Sequence, residues 1–203
     1  MSGAEGCRDA ETARFDALRA ENHTVLAALL ARAPDAGLLA QLAAAAPAYS
    51  GELGEAWQAL SAAAATADPQ QVASEYQNLF IGIGRGELVP YMSWYRTGNL
   101  MDQPLIKLRE DLARLGVARQ EEVRDPEDHI AALSEVMAML ASDDELVSGY
   151  PVQQAFYNTH IAPVIERFWR DLEVAKSADF YRVVARLGAA FHELESHYFT
   201  LTP

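Results

Sequence analysis

The sequence predicts an all-α protein that forms a single helical bundle over residues 1–203. Apolar residues recur at helical spacing in successive segments, and no run alternates polar and apolar residues for long enough to form a strand. Proline and glycine lie mainly between these segments, where they end one helix and open the next. One irregular stretch, rich in glycine and aromatic residues, lies near the middle of the chain. The segments 81–104 and 141–152 are therefore expected to be loops or hinges.

Alanine-rich helices are predicted for the N-terminal half. The first helix has a mostly apolar face that carries Phe15, Leu18, Asn22, Val25 and Leu29. It ends near the breaker cluster 34–37. Two further helices are expected at 38–46 and 53–67, because alanine loses little side-chain entropy in a helix. An Asp-Pro pair then opens a fourth helix, 68–79.

Glycine and proline also set the helix boundaries of the second half. An Asp-Gln-Pro sequence opens a helix at 102–115, and Gly116 stops it. The next helix is predicted at 125–140. A further helix carries Pro163, where a kink is expected because proline lacks the backbone N–H. The last helix, 180–198, has aromatic and aliphatic residues on one face.

The charge and the N-terminal sequence narrow the possible partners and locations. A formal net charge of −13 disfavours nucleic acid and suits a basic ligand, although it also simply favours solubility. The chain has no secretory signal at its start and no run of about eighteen apolar residues. A soluble, cytoplasmic protein is expected. The single cysteine, Cys7, excludes an intramolecular disulfide and a cysteine-based metal cluster.

The run 125–129 is the most informative local pattern. Asp125 is suited to be an N-cap and Pro126 to be the first helical residue. Glu127 and Asp128 would complement the positive end of the helix dipole. Helix capping therefore explains much of the run, but it does not explain His129.

A glycine loop and three aromatic residues precede this run. The loop, 82–86, does not have the spacing of a phosphate-binding motif, and no strand precedes it. Its glycines are expected to permit positive φ angles in a tight connection. Long loops in compact domains are often functional. Tyr91, Trp94 and Tyr95 suit either a recognition surface or a buried aromatic patch.

Metal binding and hydrolase chemistry are weaker interpretations. His192 and His197 are five residues apart and lie on different faces of a helix, so no metal site is expected. Asp128 and His129 could belong to a catalytic dyad, but neighbouring helical residues point about 100° apart. No nucleophile can be identified from the sequence.

The order of these motifs resembles the TorD/DmsD-type family of redox-enzyme maturation chaperones. The resemblance rests on the Tyr-Gln-Asn-Leu-Phe sequence at 76–80, the glycine loop, residues 90–95, and Pro-Glu-Asp-His at 126–129. Two departures are visible. Asp125 stands where the family usually has glutamate, and Pro-Tyr-Met-Ser at 90–93 replaces a Pro-Trp-Glu-Ser sequence.

The resemblance implies a non-enzymatic, cytoplasmic, all-helical chaperone. Such a chaperone binds the twin-arginine leader and the apo form of a molybdoenzyme catalytic subunit of the dimethyl sulfoxide reductase superfamily. It delays export until the molybdopterin cofactor is inserted. Asp128 would pair with a leader arginine, because carboxylate and guanidinium form bidentate hydrogen bonds. The expected leader-binding residues are Asp128, His129, Tyr76, Phe80, Tyr91, Trp94 and Tyr95.

The client and the ligands of such a chaperone are less strongly indicated. The loop 84–88 resembles sequences related to formate dehydrogenase maturation, which slightly favours that client. The protein is expected to have no cofactor of its own, with weak binding of guanine nucleotide or molybdopterin guanine dinucleotide as a possibility. One alternative is a chaperone that binds the enzyme body or guanine nucleotide without recognising the leader. Another is a small hydrolase that uses Asp128 and His129.

Overall fold

The computed structural model describes residues 2–45, 49–82, 85–119, 125–142 and 149–201, with side chains from residue 12 onward. The described chain forms ten α-helices, which confirms the predicted all-α fold. The helices are α1 (Ser2–Ala31), α2 (Ala36–Ala44), α3 (Gly51–Thr66), α4 (Pro69–Tyr76), α5 (Met92–Thr97), α6 (Gln103–Arg114), α7 (Ile130–Ser142), α8 (Tyr150–Phe156), α9 (Ala162–Glu173) and α10 (Phe180–Thr200).

Several helix ends follow the capping residues of the sequence. The Asp68 carboxylate accepts a hydrogen bond from the backbone N–H of Gln70 at 2.9 Å, and Asp102 accepts one from Gln103 at 2.7 Å. Gly116, just after α6, has a φ of 70°, a left-handed conformation that glycine adopts without strain. These boundaries were therefore predictable from the side chains that satisfy free backbone groups.

A π-helical turn, Tyr157–Ile161, separates α8 from α9 at the predicted kink. Pro163 has no backbone N–H to donate to the carbonyl of Thr159, four residues earlier. The Arg96 guanidinium of α5 donates to the Thr159 carbonyl at 3.0 Å. The regular α-helix is thus interrupted just before Pro163, and a side chain from another helix contacts the interrupted segment.

Helix packing brings the N-terminal and C-terminal parts of the chain together. Helix α1 packs against α7, and α10 packs against both α3 and α9. At Gly188 a side chain would overlap the Trp169 ring, so glycine allows α9 and α10 to approach closely. No helix in the described ranges is long and apolar enough to cross a membrane.

A buried ionic cluster joins α1 to α10. Arg19 Nε lies 2.5 Å from Glu195 Oε1, and His23 Nε2 lies 3.0 Å from Glu195 Oε2. The Arg19 and Glu195 side chains are 1% and 0% exposed. Burial alone would raise the pKa of Glu195, but the hydrogen bonds from His23 and Arg19 outweigh burial and lower that pKa to about 2. The cluster therefore ties the two ends of the chain together through a desolvated pair.

Candidate functional site

The acidic run 125–128 does not begin helix α7, contrary to the capping prediction. The helix starts at Ile130, and the segment 125–127 forms a turn before it. The residue just before the helix is His129, whose Nδ1 accepts a hydrogen bond from the Ala131 N–H at 3.1 Å. The predicted capping roles of Asp125, Pro126 and Glu127 are therefore wrong, because a histidine four residues later provides a cap.

Two short segments, Pro90–Ser93 and Asp128–Ile130, are held side by side and are called the clamp below. The Met92 N–H donates to the Asp128 carbonyl at 2.9 Å, and the Ile130 N–H donates to the Pro90 carbonyl at 2.9 Å. Together they form an isolated antiparallel bridge. The clamp fixes the start of α5 against the start of α7, although 35 residues separate Ser93 from Asp128.

Asp128 is the central side chain of the clamp. Its Oδ2 accepts a hydrogen bond from the Ser93 N–H at 2.9 Å, near the start of α5. The side chain is 0% exposed, and within the described structure its Oδ1 has no hydrogen-bond partner. A fully buried carboxylate has no surface to offer a ligand in this conformation. Asp128 is therefore a positioning residue here, and the expectation that it pairs directly with a leader arginine is not supported.

His129 is also buried in the clamp, with 8% exposure. Its ring meets the Tyr91 ring edge to face, with centroids 5.0 Å apart. Burial lowers the pKa of His129, although the charges of Asp125 and Asp128 oppose this change. The imidazole is thus neutral near pH 7, and because Nδ1 is an acceptor, the proton lies on Nε2.

Asp125 carries the accessible negative charge of this region, whereas Glu127 is partly buried and paired with an arginine. The Tyr91 hydroxyl donates to Asp125 Oδ1 at 3.1 Å, and Asp125 itself is exposed. Glu127 Oε2 lies 2.8 Å from the Arg109 guanidinium on α6. Burial favours a raised pKa for Glu127, but hydrogen bonding to Arg109 outweighs it and lowers the pKa. The sequence assigned Asp125 to capping and Asp128 to recognition, whereas the structure exposes Asp125 and buries Asp128.

Tyr76 and Phe80, which were predicted to bind the leader, belong to the core. Their rings lie 5.0 Å apart, and the Tyr181 ring of α10 lies 5.4 Å from Phe80. The Tyr76 hydroxyl donates to the Leu30 carbonyl at 3.1 Å. Burial, with a smaller effect of the Asp125 charge, raises the pKa of Tyr76 to about 12. These two rings hold the helices together and are not accessible to a ligand.

Glu75 and Glu87 form structural contacts that the sequence reasoning missed. The Glu75 carboxylate accepts the backbone N–H groups of residues 179–181 at 2.8, 3.1 and 2.7 Å, which caps α10 from another helix. Glu87 accepts the N–H groups of residues 176–177 at 2.6 and 3.1 Å. The sequence has no local signal for these contacts, because 89 to 106 residues separate the glutamates from their partners.

The glycine loop returns the chain tightly from the helix that precedes it. Gly82 has a φ of 62°, which confirms the expected positive φ at this position. A side chain at Gly86 would overlap the backbone of residues 79–80. The predicted conformations at residues 83–84 lie outside the described residues. The predicted positive φ is therefore confirmed at Gly82, whereas Gly86 has no positive φ and is required by the close backbone approach.

Trp94 and Tyr95 are half-buried on α5, and each has an arginine beside its ring. The Arg85 Cζ lies 4.3 Å from the Trp94 ring centroid. The Arg167 Cζ lies 5.4 Å from the Tyr95 ring centroid. Cations over aromatic faces disfavour a basic peptide at the same position.

The hydrolase alternative gains a neighbouring serine but not a catalytic arrangement. Ser93 lies beside Asp128, yet it is its backbone N–H that donates to the carboxylate. Ser93 is 0% exposed, and its hydroxyl has no partner in the described part of the chain. His129 uses Nδ1 to accept a backbone N–H instead of donating to Asp128. A cavity of about 200 Å³ lies beside Phe15 of α1, and Ser93, Asp128 and His129 do not line it.

The two histidines of the C-terminal helix lie in different surroundings. His192 is buried, and burial lowers its pKa to about 3. The Trp169 indole donates to its Nδ1 at 3.2 Å. His197 is exposed. Across the described ranges, no group of three or more His, Cys, Asp or Glu side chains is arranged to hold a metal ion.

Comparisons with known proteins agree with this architecture. The nitrate reductase delta subunit family matches residues 46–170. The chaperone protein TorD of Vibrio cholerae is 27% identical over 135 residues, which cover 63% of this chain and 61% of that protein. TorD of Vibrio atlanticus is 25% identical over 137 residues, which cover 63% of this chain and 64% of that protein. This chain therefore spans less than two thirds of the length of these relatives.

A solved structure supports the same fold. A redox enzyme maturation protein from Archaeoglobus fulgidus aligns with a TM-score of 0.55 and 21% identity, over 85% of this chain and 93% of the other. The relatives are named as chaperones, in agreement with the prediction that this chain is not an enzyme. The family match covers more than half of the chain and includes both segments of the clamp. The chain therefore belongs to the nitrate reductase delta subunit family, the helical family of TorD-type maturation chaperones.

Proposed function

We propose that this protein is a cytoplasmic maturation chaperone that binds the twin-arginine leader and the apo form of a molybdoenzyme catalytic subunit. It retains the subunit until the molybdopterin cofactor is inserted, and the client belongs to the dimethyl sulfoxide reductase superfamily. A formate dehydrogenase is the first client to test, because of the loop at 84–88. The family membership and the names of the relatives support the chaperone role.

One observation carries the proposed leader site: the clamp buries Asp128 and leaves Asp125 exposed beside Tyr91. In this proposal a leader arginine binds Asp125 through charge-assisted hydrogen bonds. Tyr91 holds the carboxylate in place through its hydroxyl. Asp128 and His129 act indirectly, by fixing Tyr91 and the turn that carries Asp125.

The apolar part of the leader has a neighbouring surface on the connection between α5 and α6 and on the first turn of α6. Leu100, Met101 and Ile106 are 48%, 68% and 50% exposed. Ile106 lies one helical turn before Arg109, which pairs with Glu127, so this surface adjoins the acidic turn. Met101 has a φ of 55°, a conformation that bulky residues rarely adopt and that often occurs at functional sites.

The charge of the whole chain supports the same partner. A net charge of −13 attracts a basic leader over long range and speeds its encounter with the protein. The attraction should weaken with added salt, because ions screen exposed charges. Electrostatic steering therefore supplements the short-range contact at Asp125 and does not replace it.

Calorimetric titration with candidate twin-arginine leader peptides tests this function. Asp125→Asn should weaken leader binding about tenfold, the effect of losing one charge-assisted pair. Glu166→Gln is the matched control, since Glu166 is an exposed carboxylate on α9 that pairs with Arg170 at 3.2 Å. Equal affinities for the Asp125 and Glu166 variants would refute the proposed site. The absence of binding by every leader would refute leader recognition itself.

A further inference from the structure

A second surface, on α5, has the opposite charge to the proposed leader site. It is called the α5 surface and consists of Arg85, Trp94, Tyr95, Arg96 and Arg167. Two of its arginines lie over the aromatic rings of α5, at 4.3 and 5.4 Å from the ring centroids. The third donates to a backbone carbonyl at 3.0 Å. Two of the three cations are thus stacked on aromatic rings of one short helix.

The positive charge of this surface is only partly neutralised. Within the described residues, neither Arg85 nor Arg96 forms an ion pair with a carboxylate. Arg167 has one carboxylate nearby, Asp171 at 3.8 Å. Both groups are largely exposed, so this pair is weak and can exchange for another partner. Uncompensated arginines stand out on a chain with a net charge of −13.

We propose that the α5 surface binds an acidic segment of a partner polypeptide. Tryptophan, tyrosine and arginine are the residues that most often dominate protein–protein binding energy. Guanidinium groups prefer carboxylates, which they bind through two parallel hydrogen bonds. The partner therefore presents carboxylates to the arginines and an apolar side chain to the exposed edges of Trp94 and Tyr95. A basic leader cannot satisfy this surface, so the inference goes beyond leader recognition and does not depend on it.

Intrinsic fluorescence provides a direct measurement of binding at this position. Trp57 and Trp169 are buried, whereas Trp94 is half-exposed and lies within the α5 surface. The probe is a synthetic peptide that alternates glutamate with leucine, and matched peptides carry glutamine or lysine in place of glutamate. The glutamate peptide should change the Trp94 emission and bind, while the other two peptides should not. Binding should weaken as salt is added.

Variants distinguish the α5 surface from nonspecific association. Arg85→Gln combined with Arg167→Gln should weaken binding of the glutamate peptide by at least about fivefold. The matched control is Arg186→Gln, which removes an exposed arginine that pairs with Glu173 on the α9 side of α10. This control should leave binding unchanged. Circular dichroism should show the same helix content in all variants.

Three results would overturn the proposal. The first is a glutamate peptide that fails to bind the unmodified protein. The second is binding that the double variant retains in full. The third is a nucleoside triphosphate that binds tightly, displaces the peptide and no longer binds to the double variant. This result would assign the surface to a nucleotide. Leader titrations with the same double variant should give unchanged affinity, so failure of one proposal is distinguishable from failure of the other.

Discussion

Replacing Asp128 with alanine should destabilise the protein, because this side chain holds the clamp from inside. The substitution removes the buried hydrogen bond that Asp128 accepts from the Ser93 N–H, which is 2.9 Å long. A buried N–H that is left without a partner costs about 1–3 kcal/mol. We expect a loss of about 2–3 kcal/mol in the free energy of unfolding. For a chain of this size, that loss lowers the Tm by about 4–12 °C.

Asp128→Asn tests the hydrogen bond by keeping it. The amide oxygen of asparagine can still accept the Ser93 N–H, and only the group at the Oδ1 position changes. The asparagine variant should therefore lose less than about 1 kcal/mol. Asp125→Ala is the control, since Asp125 is exposed and surface substitutions usually change stability by less than about 0.5 kcal/mol.

Thermal and urea denaturation followed by circular dichroism measure these differences. Agreement between the two methods would show that the free energies refer to one cooperative transition. A Tm for Asp128→Ala within about 2 °C of the unmodified protein would refute the positioning role. An asparagine variant as unstable as the alanine variant would show that the hydrogen bond to Ser93 does not hold the clamp.

Two further predictions concern the contacts that join distant parts of the chain. Glu195→Ala should lower the free energy of unfolding, measured by urea denaturation, by about 3–5 kcal/mol, because it leaves Arg19 charged and buried. A decrease of less than about 1 kcal/mol would contradict the account. The pKa of Glu195 is lowered from 4.5 to about 2, so ionised Glu195 stabilises the folded protein fully above pH 4.5. This stabilisation is lost as the pH falls from 4.5 towards 2, and the Glu195→Ala variant should lack this part of the pH dependence. Glu75→Ala should lower the free energy of unfolding by about 2–3 kcal/mol, because it removes three hydrogen bonds to backbone N–H groups at the start of α10. Glu75→Gln should lower it by less. In the alanine variant, amide hydrogen exchange should become faster mainly in the first turn of α10.

Local sequence patterns predicted the helices well where capping and packing depend on nearby residues. Asp68 and Asp102 occupy the expected capping positions, and the kink expected at Pro163 coincides with a π-helical turn. Helix α5 was not predicted, since only six residues form it and its start is held by a contact from the distant Asp128. A pattern within a short window cannot contain the partner of such a contact.

The structure brings Tyr91, Asp125 and His129 together, but it buries and exposes the two aspartates in the opposite way to the prediction. An aspartate followed by proline has the pattern of an N-cap, so Asp125 was assigned to structure. The actual cap of α7 comes from His129, because the backbone of the clamp occupies the preceding positions. Burial of Asp128 follows from that same tertiary pairing. Local capping preferences could not have predicted it.

The assignment of Tyr76 and Phe80 failed for a related reason. Aromatic residues suit both recognition surfaces and cores, and only tertiary packing distinguishes the two. Here Tyr181, about one hundred residues further along the chain, completes the cluster that buries both rings. Tyr91, in contrast, remains partly exposed and stays within the proposed leader site.

The central claim is that the exposed Asp125 recognises an arginine of a leader. A double-mutant cycle by calorimetry tests it most directly, with the unmodified protein and Asp125→Asn each titrated with a twin-arginine leader and its double-lysine counterpart. The account predicts that the unmodified protein prefers arginine about tenfold and that Asp125→Asn removes most of this preference, because only arginine forms the bidentate pair. An arginine preference that persists unchanged in the variant would contradict the account.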